Sequence, residues 1–239
     1  MMRERDNVRI TQFNVQLYFR RPALDDSELL AKMFSGSQGF EAKPVTDDYG
    51  THPMQGTMSF YRDGFRIAPV QSNVLPFRIL QVMSYPNTLK EPDAETIACL
   101  RFAATQLQEH LHIDIDGDVY AVRVVSHALV DGGRQYMLSK LSSIENVPSL
   151  VGMYVAHKNP MDALQIVTKT GSELSHKSWS DIRVSQFKEN SYVVTIFHET
   201  KSLPLALNWI AQVEQFVATM IQEMEQAAAY HGDTTGKKL

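Results

Sequence analysis

Two long amphipathic stretches set most of what this chain can become. From Asp93 to Leu111, the residues Ile97, Leu100, Ala104, Leu107 and Leu111 recur three and four positions apart, which places them on one face of a helix. From Leu203 to Gln226, the same spacing joins Leu207, Ile210, Val213, Val217, Met220 and Met224, and Trp209 and Phe216 widen the stripe. Pro92 stands where a helix start tolerates a missing N–H, and Ser202 suits the cap of the second helix. A helix with one apolar stripe needs a surface to lie on. The rest of the chain must supply it.

What precedes each stretch reads as sheet. Val8–Phe19 alternates apolar with polar residues and is rich in β-branched and aromatic side chains. After Pro22–Asp26, either Asp25 or Asp26 caps a short helix through Met33, with Leu29, Leu30 and Met33 inward. Gly36–Pro53 reads as a polar loop. Strands follow at Thr57–Tyr61, Phe65–Val70 and Leu75–Met83, the first two joined by the hairpin signal Arg62-Asp63-Gly64. After the first long helix the order recurs. Val119–Val125 is a strand, Gly132-Gly133 opens a helical run to Leu141, and strands follow at Leu150–Ala156, Ala163–Thr168, Asp181–Phe187 and Tyr192–Phe197.

Equivalent elements stand about one hundred residues apart, which indicates duplication rather than a short repeat. The expected fold is α+β. Two β-α-β-β-β-α halves, residues 1–112 and 113–228, form a curved antiparallel sheet covered by two long helices, and residues 229–239 form a flexible tail. This layout resembles the helix-grip, or TBP-like, fold. Through VPSLVGMYVAHKNPMDALQIVTKTG and LALNWIAQVEQFVATMI the chain also resembles a sporadically distributed family of bacterial proteins built that way. The resemblance implies a fold and supplies no catalytic residues.

Charge and composition narrow the classes. Lys and Arg number 23 against 27 Asp and Glu, a formal charge of -4, which disfavours a general nucleic-acid binder. One cysteine, Cys99, cannot form a disulfide within the chain, so a reducing, cytoplasmic location is expected. The opening MMRERDNVR has no apolar run, and no stretch is long enough to suggest a membrane span. Eleven methionines and two apolar helix faces are compatible with a homodimer.

The segment Ser126-His127-Ala128-Leu129-Val130-Asp131-Gly132-Gly133 contains H-x-x-x-D-G. It resembles the segment around the catalytic histidine of chloramphenicol-acetyltransferase-like acyltransferases. The resemblance implies His127 as general base, with Asp131 structural and Gly132 in a tight turn. Ser126 stands where many such enzymes have a second histidine, Arg134 where a small residue is usual, and no D-F-G-W-G follows. The matching junction of the first half, PALDDSELLAKM, carries Pro22 in place of His127. A strand-to-helix bend that needs an aspartate and small residues explains both copies without catalysis.

HLHIDIDGD places His110, His112 and Asp114 at spacings that a metal accepts. Counted from Asp114, the glycine and the final acid of a calcium loop fall at the wrong positions, so a polar helix-to-strand connector is the plainer reading. Cys99, among apolar neighbours, reads as core. His198-Glu199 reads as a solvated strand end. Trp179, Arg183, Phe187 and Lys188 mix aromatic and basic groups as sheet-surface RNA binders do, but period-two alternation does not bring them to one face.

With a complete fold pattern and no coherent catalytic set, the expected function is non-enzymatic binding. A small ligand or a protein partner would sit in a sheet-and-helix groove, with no cofactor. Acyl transfer through His127, and nucleic-acid binding across a TBP-like saddle, are the alternatives.

Overall fold

The computed structural model describes residues 8–21, 24–37, 39–46, 53–70, 78–85, 88–131, 144–151, 153–159, 163–168, 178–188 and 191–234. The first part of the chain forms β1 (Val8–Phe19), α1 (Ser27–Ser37), β2 (Glu41–Thr46), β3 (Pro53–Arg62), β4 (Phe65–Val70), β5 (Ile79–Ser84) and α2 (Pro92–Leu111). The second part forms a short α3 (Ile115–Asp118), then β6 (Val119–Asp131), β7 (Met153–Asn159), β8 (Ala163–Thr168), β9 (Ser178–Lys188), β10 (Ser191–Thr200) and α4 (Leu203–Thr234). It is an α+β protein with antiparallel sheet and a long C-terminal helix.

Two compact units result. One comprises Gln12–Val124 and Thr200–Ala211, the other Met1–Thr11, Val125–Glu199 and Gln212–Leu239. The strands β1 and β6 and the helix α4 each contribute to both.

In the first unit the strand order is β2-β3-β4-β5-β1-β6. Antiparallel register sets Val15 opposite Val82, Val82 opposite Ile67 and Ile67 opposite Phe60. All four are buried, as alternation requires of residues on the core face. The ring of Phe34 lies 5.1 Å from that of Phe60, which seats α1 on this face. Helix α2 lies against β5 and buries Cys99, Leu100, Ala103 and Leu107, with Ile97 and Leu111 half-buried at its margin.

Local chemistry sets the joints of this unit. Asp26 Oδ1 accepts the Leu29 N–H at 2.9 Å, so Asp26 rather than Asp25 caps α1. Asp63 (φ 34) and Gly64 (φ 83) both take positive φ, as a two-residue hairpin turn demands. Helix α2 begins on Pro92 and stops at His112, which is left-handed at φ 50. Asp114 then caps α3, accepting the Asp116 N–H at 3.2 Å.

In the second unit the order is β1-β6-β10-β9-β8-β7. Ser126, Ala128 and Val130 of β6 and Tyr192, Val194, Ile196 and His198 of β10 are buried at every second position. Ile166 and Ile182, directly opposite on β8 and β9, are fully buried. From α4, Val213, Val217, Met220 and Met224 are each 0% exposed. The Ser149 N–H donates to Glu223 Oε2 at 2.8 Å and ties the single turn Pro148–Leu150 to α4.

Burial along β6 slips phase at Ala121-Val122, and along β1 at Thr11-Gln12, the trace an extra residue leaves in a strand. At the second slip the Thr11 hydroxyl donates to the His127 carbonyl at 3.1 Å.

Several sequence-based boundaries move. Glu41–Thr46 is a strand inside the stretch read as loop; its charges and Pro44 hide a β pattern that pairing with β3 alone reveals. β6 continues past Val125 to Asp131, because Ser126, Ala128 and Val130 extend its buried alternation. The run from Gly132 to Leu141 lies outside the described residues. Helix α4 continues past Gln226 to Thr234. Among the described residues no helix is long and apolar enough to cross a membrane.

Candidate functional site

His127 does not sit at a strand-to-helix bend. It lies inside β6, one residue after the buried Ser126, on the half-exposed side of the strand. Its Nδ1 is 3.2 Å from the Thr195 hydroxyl of β10. Thr195 is the ring's hydrogen-bonding partner among the described residues. Partial burial pushes the imidazole below its ordinary value, which favours the neutral form. Asp131 ends the same strand, exposed. Four strand residues span about 13 Å, so its carboxylate does not reach the His127 ring.

A cross-strand row continues from this pair. Phe197, two residues beyond Thr195, shares its face. The Arg183 guanidinium of β9 stacks on the Phe197 ring at 4.8 Å. Arg183 also bonds Asp181 Oδ2 at 3.1 Å, and Gln165 Nε2 of β8 reaches both oxygens of that carboxylate at 3.2 and 3.0 Å. Asp181 is only 5% exposed, and these donors are what make a buried carboxylate tolerable. The half-buried Val125, Leu129 and Val193 share the flanking strand positions. The second unit thus carries an imidazole, a hydroxyl, an aromatic ring and a buffered ion pair on one half-exposed face.

Such a face can hydrogen-bond and stack. Among the described residues no carboxylate orients the His127 ring, and the Asp181 oxygens already accept from Arg183 and Gln165.

The other sequence candidates lie apart from it. His110 is in the last turn of α2, His112 caps that helix, and Asp114 is engaged in capping α3. Among the described residues no three His, Cys, Asp or Glu side chains come together to hold a metal ion. Asp118 bonds Arg21 at 2.9 Å, and this bond, with the Asp114 backbone, holds its carboxyl below the usual range. The segment is a connector. Cys99 is 1% exposed, and burial pushes its thiol up to about 12, so it is no nucleophile.

His198 is a correction. It is 7% exposed rather than solvated, because β10 places it in phase with Tyr192, Val194 and Ile196. Burial lowers its pKa to about 4. Of the mixed aromatic and basic set on β9, Arg183 joins the row. The side chains of Trp179, Phe187 and Lys188 lie outside the described ones. Thr195, Phe197, Asp181 and Gln165 went unnoticed in the sequence. Their signal is positional, every second residue of β10 and β9, and carries no motif.

Comparison with family models gives no match, and comparison with curated proteins gives none. Solved structures do align. CalU16 from Micromonospora echinospora is 12% identical, covering 48% of this chain and 86% of its own, at a TM-score of 0.29. The di-domain ARO/CYC StfQ from the steffimycin biosynthetic pathway is 12% identical over 94% of this chain and 99% of its own, at 0.24. The di-domain ARO/CYC BexL from the BE-7585A biosynthetic pathway is 9% identical over 97% and 99%, at 0.25. Overlaps this loose decide nothing about the chemistry of this chain.

Proposed function

We propose that this is a non-enzymatic binding protein of duplicated helix-grip halves that holds a small ligand on the half-exposed face of β6, β10, β9 and β8. One observation carries the reading. His127, Thr195, Phe197 and Arg183 lie side by side on adjacent strands, while the buried Asp181 carboxylate beside them is already engaged by Arg183 and Gln165. The ligand that suits the face has a flat part to lie beside Phe197 and hydrogen-bonding groups for His127 and Thr195.

Native mass spectrometry of freshly purified protein tests the proposal. A retained small molecule, lost in Phe197→Ala and in His127→Ala, is the expected result. Turnover of a defined substrate that disappears with one named residue overturns it. A bare protein that captures a partner chain through this face makes the occupant a protein and overturns the small-ligand assignment.

Burial lowers the pKa of His127, and this favours one second reading, acyl transfer. There His127 takes the proton of an acceptor hydroxyl or amine as that group attacks a thioester carbonyl, and returns it to the departing thiolate as the carbon–sulfur bond breaks. An acyl-coenzyme A mass on the native protein, and a folded but inactive His127→Ala variant, would support it.

A further inference from the structure

The ion pair on the half-exposed face of β9 has its two charges at different depths. The side chain of Arg183 is 53% exposed and that of Asp181 only 7%. Register sets Gln165 of β8 opposite Arg183, and Gln165 Nε2 donates to both Asp181 oxygens at 3.2 and 3.0 Å. Arg183 Nη2 donates to Asp181 Oδ2 at 3.1 Å, and its guanidinium lies over the Phe197 ring at 4.8 Å. Asp181 is therefore out of a ligand's reach. What it does to a ligand it does through Arg183, whose charge it offsets from a buried position.

That arrangement sorts ligands by charge. A buried carboxylate beside a guanidinium is a strong counter-charge, because little water screens it. An anion that approaches Arg183 meets Asp181 behind it and recovers little of the hydration it gives up. Glu199, half-buried two residues past Phe197 on β10, adds negative charge on the same side. A cation finds the place over the Phe197 ring already taken by Arg183. A carbonyl oxygen needs no net charge to accept a hydrogen bond. No described residue takes the Arg183 Nε and Nη1 donors, which suit such an acceptor. His127 agrees with this, since partial burial favours its neutral ring. On β6, Arg123 and Asp131 have opposite signs and stand four residues to either side of His127, about 13 Å along the strand.

We infer that Asp181 is a specificity-determining residue, the buried counter-charge that restricts this face to an uncharged planar ligand with a carbonyl oxygen for Arg183. The assignment rests on the ligand face proposed above and names the class of its occupant.

Three probes of one shape and different charge test it: naphthamide, naphthoate and naphthylmethylamine, titrated at neutral pH by their own fluorescence. The native protein should bind naphthamide about tenfold or more tighter than either charged probe, the worth of one charge-assisted hydrogen bond. Asp181→Asn leaves the Arg183 charge without its counter-charge, so naphthoate should gain about tenfold and overtake naphthamide. Asp181→Asn with Arg183→Gln removes both charges and should abolish that gain. Circular dichroism checks that each variant is folded, and the native ranking decides the ligand class even if neither variant folds. Naphthoate or naphthylmethylamine binding as tightly as naphthamide to native protein overturns the assignment, as does an unchanged ranking in folded Asp181→Asn; the ligand face itself survives both results if Phe197→Ala abolishes binding. Absence of binding by all three probes, or binding that Phe197→Ala leaves intact, removes the ligand face and this assignment with it.

Discussion

Acid should loosen this protein through one buried histidine. His198 sits in β10 at 7% exposure, and burial lowers its pKa from 6.5 to about 4. Above pH 6.5 the ring is neutral in folded and unfolded chains alike, so it contributes no pH dependence. As pH falls from 6.5 toward 4, the unfolded chain takes up a proton that the folded chain refuses, and stability is lost. Below about 4 both states are protonated and the loss levels off. The interval between 6.5 and about 4, at about 1.36 kcal/mol per pH unit, amounts to about 3 kcal/mol.

Carboxylates also titrate in this range, so the measurement is a difference. Urea unfolding of the native protein and of His198→Gln, followed at intervals from pH 7.5 to pH 4, removes the shared background. The native protein should lose up to about 3 kcal/mol more than the variant over that window. His127, also lowered by burial, acts with the same sign, and His127→Gln separates its share. Equal pH slopes for native and His198→Gln, or a steeper slope for the variant, would refute the burial argument.

Two further outcomes test the fold. Gly64→Ala should destabilise by about 1–3 kcal/mol in thermal unfolding, since its φ is 83 and a Cβ there would meet the Thr88 side chain. A thiol reagent at pH 8 should leave Cys99 unlabelled in native protein and label it fully in denaturant, because the thiol is buried and held near 12; fast labelling of native protein would place α2 differently.

Much of the fold was legible because it is local. β1 was bounded correctly at Val8–Phe19, and the Asp63-Gly64 turn and the Pro92 helix start were fixed by chemistry within a few residues. Failures came where neighbours decide. β2 has little strand character of its own and exists through β3. His198 looked like a strand end until the alternation of β10 carried it into the core.

The candidate sites divide the same way. The sequence alone marked His127 as unusual and Cys99 as inert, because each judgement needs only the residue and its immediate neighbours. It did not contain the Thr195 hydroxyl beside His127, 68 positions away, or the stacking of Arg183 on Phe197. Nor did it show Tyr18 meeting Tyr120. Those are cross-strand contacts, set by which strand lies next to which and in what register. Period and turn chemistry are written into a few adjacent residues. Adjacency of distant strands is a property of the paired sheet, and the tertiary structure alone decides it.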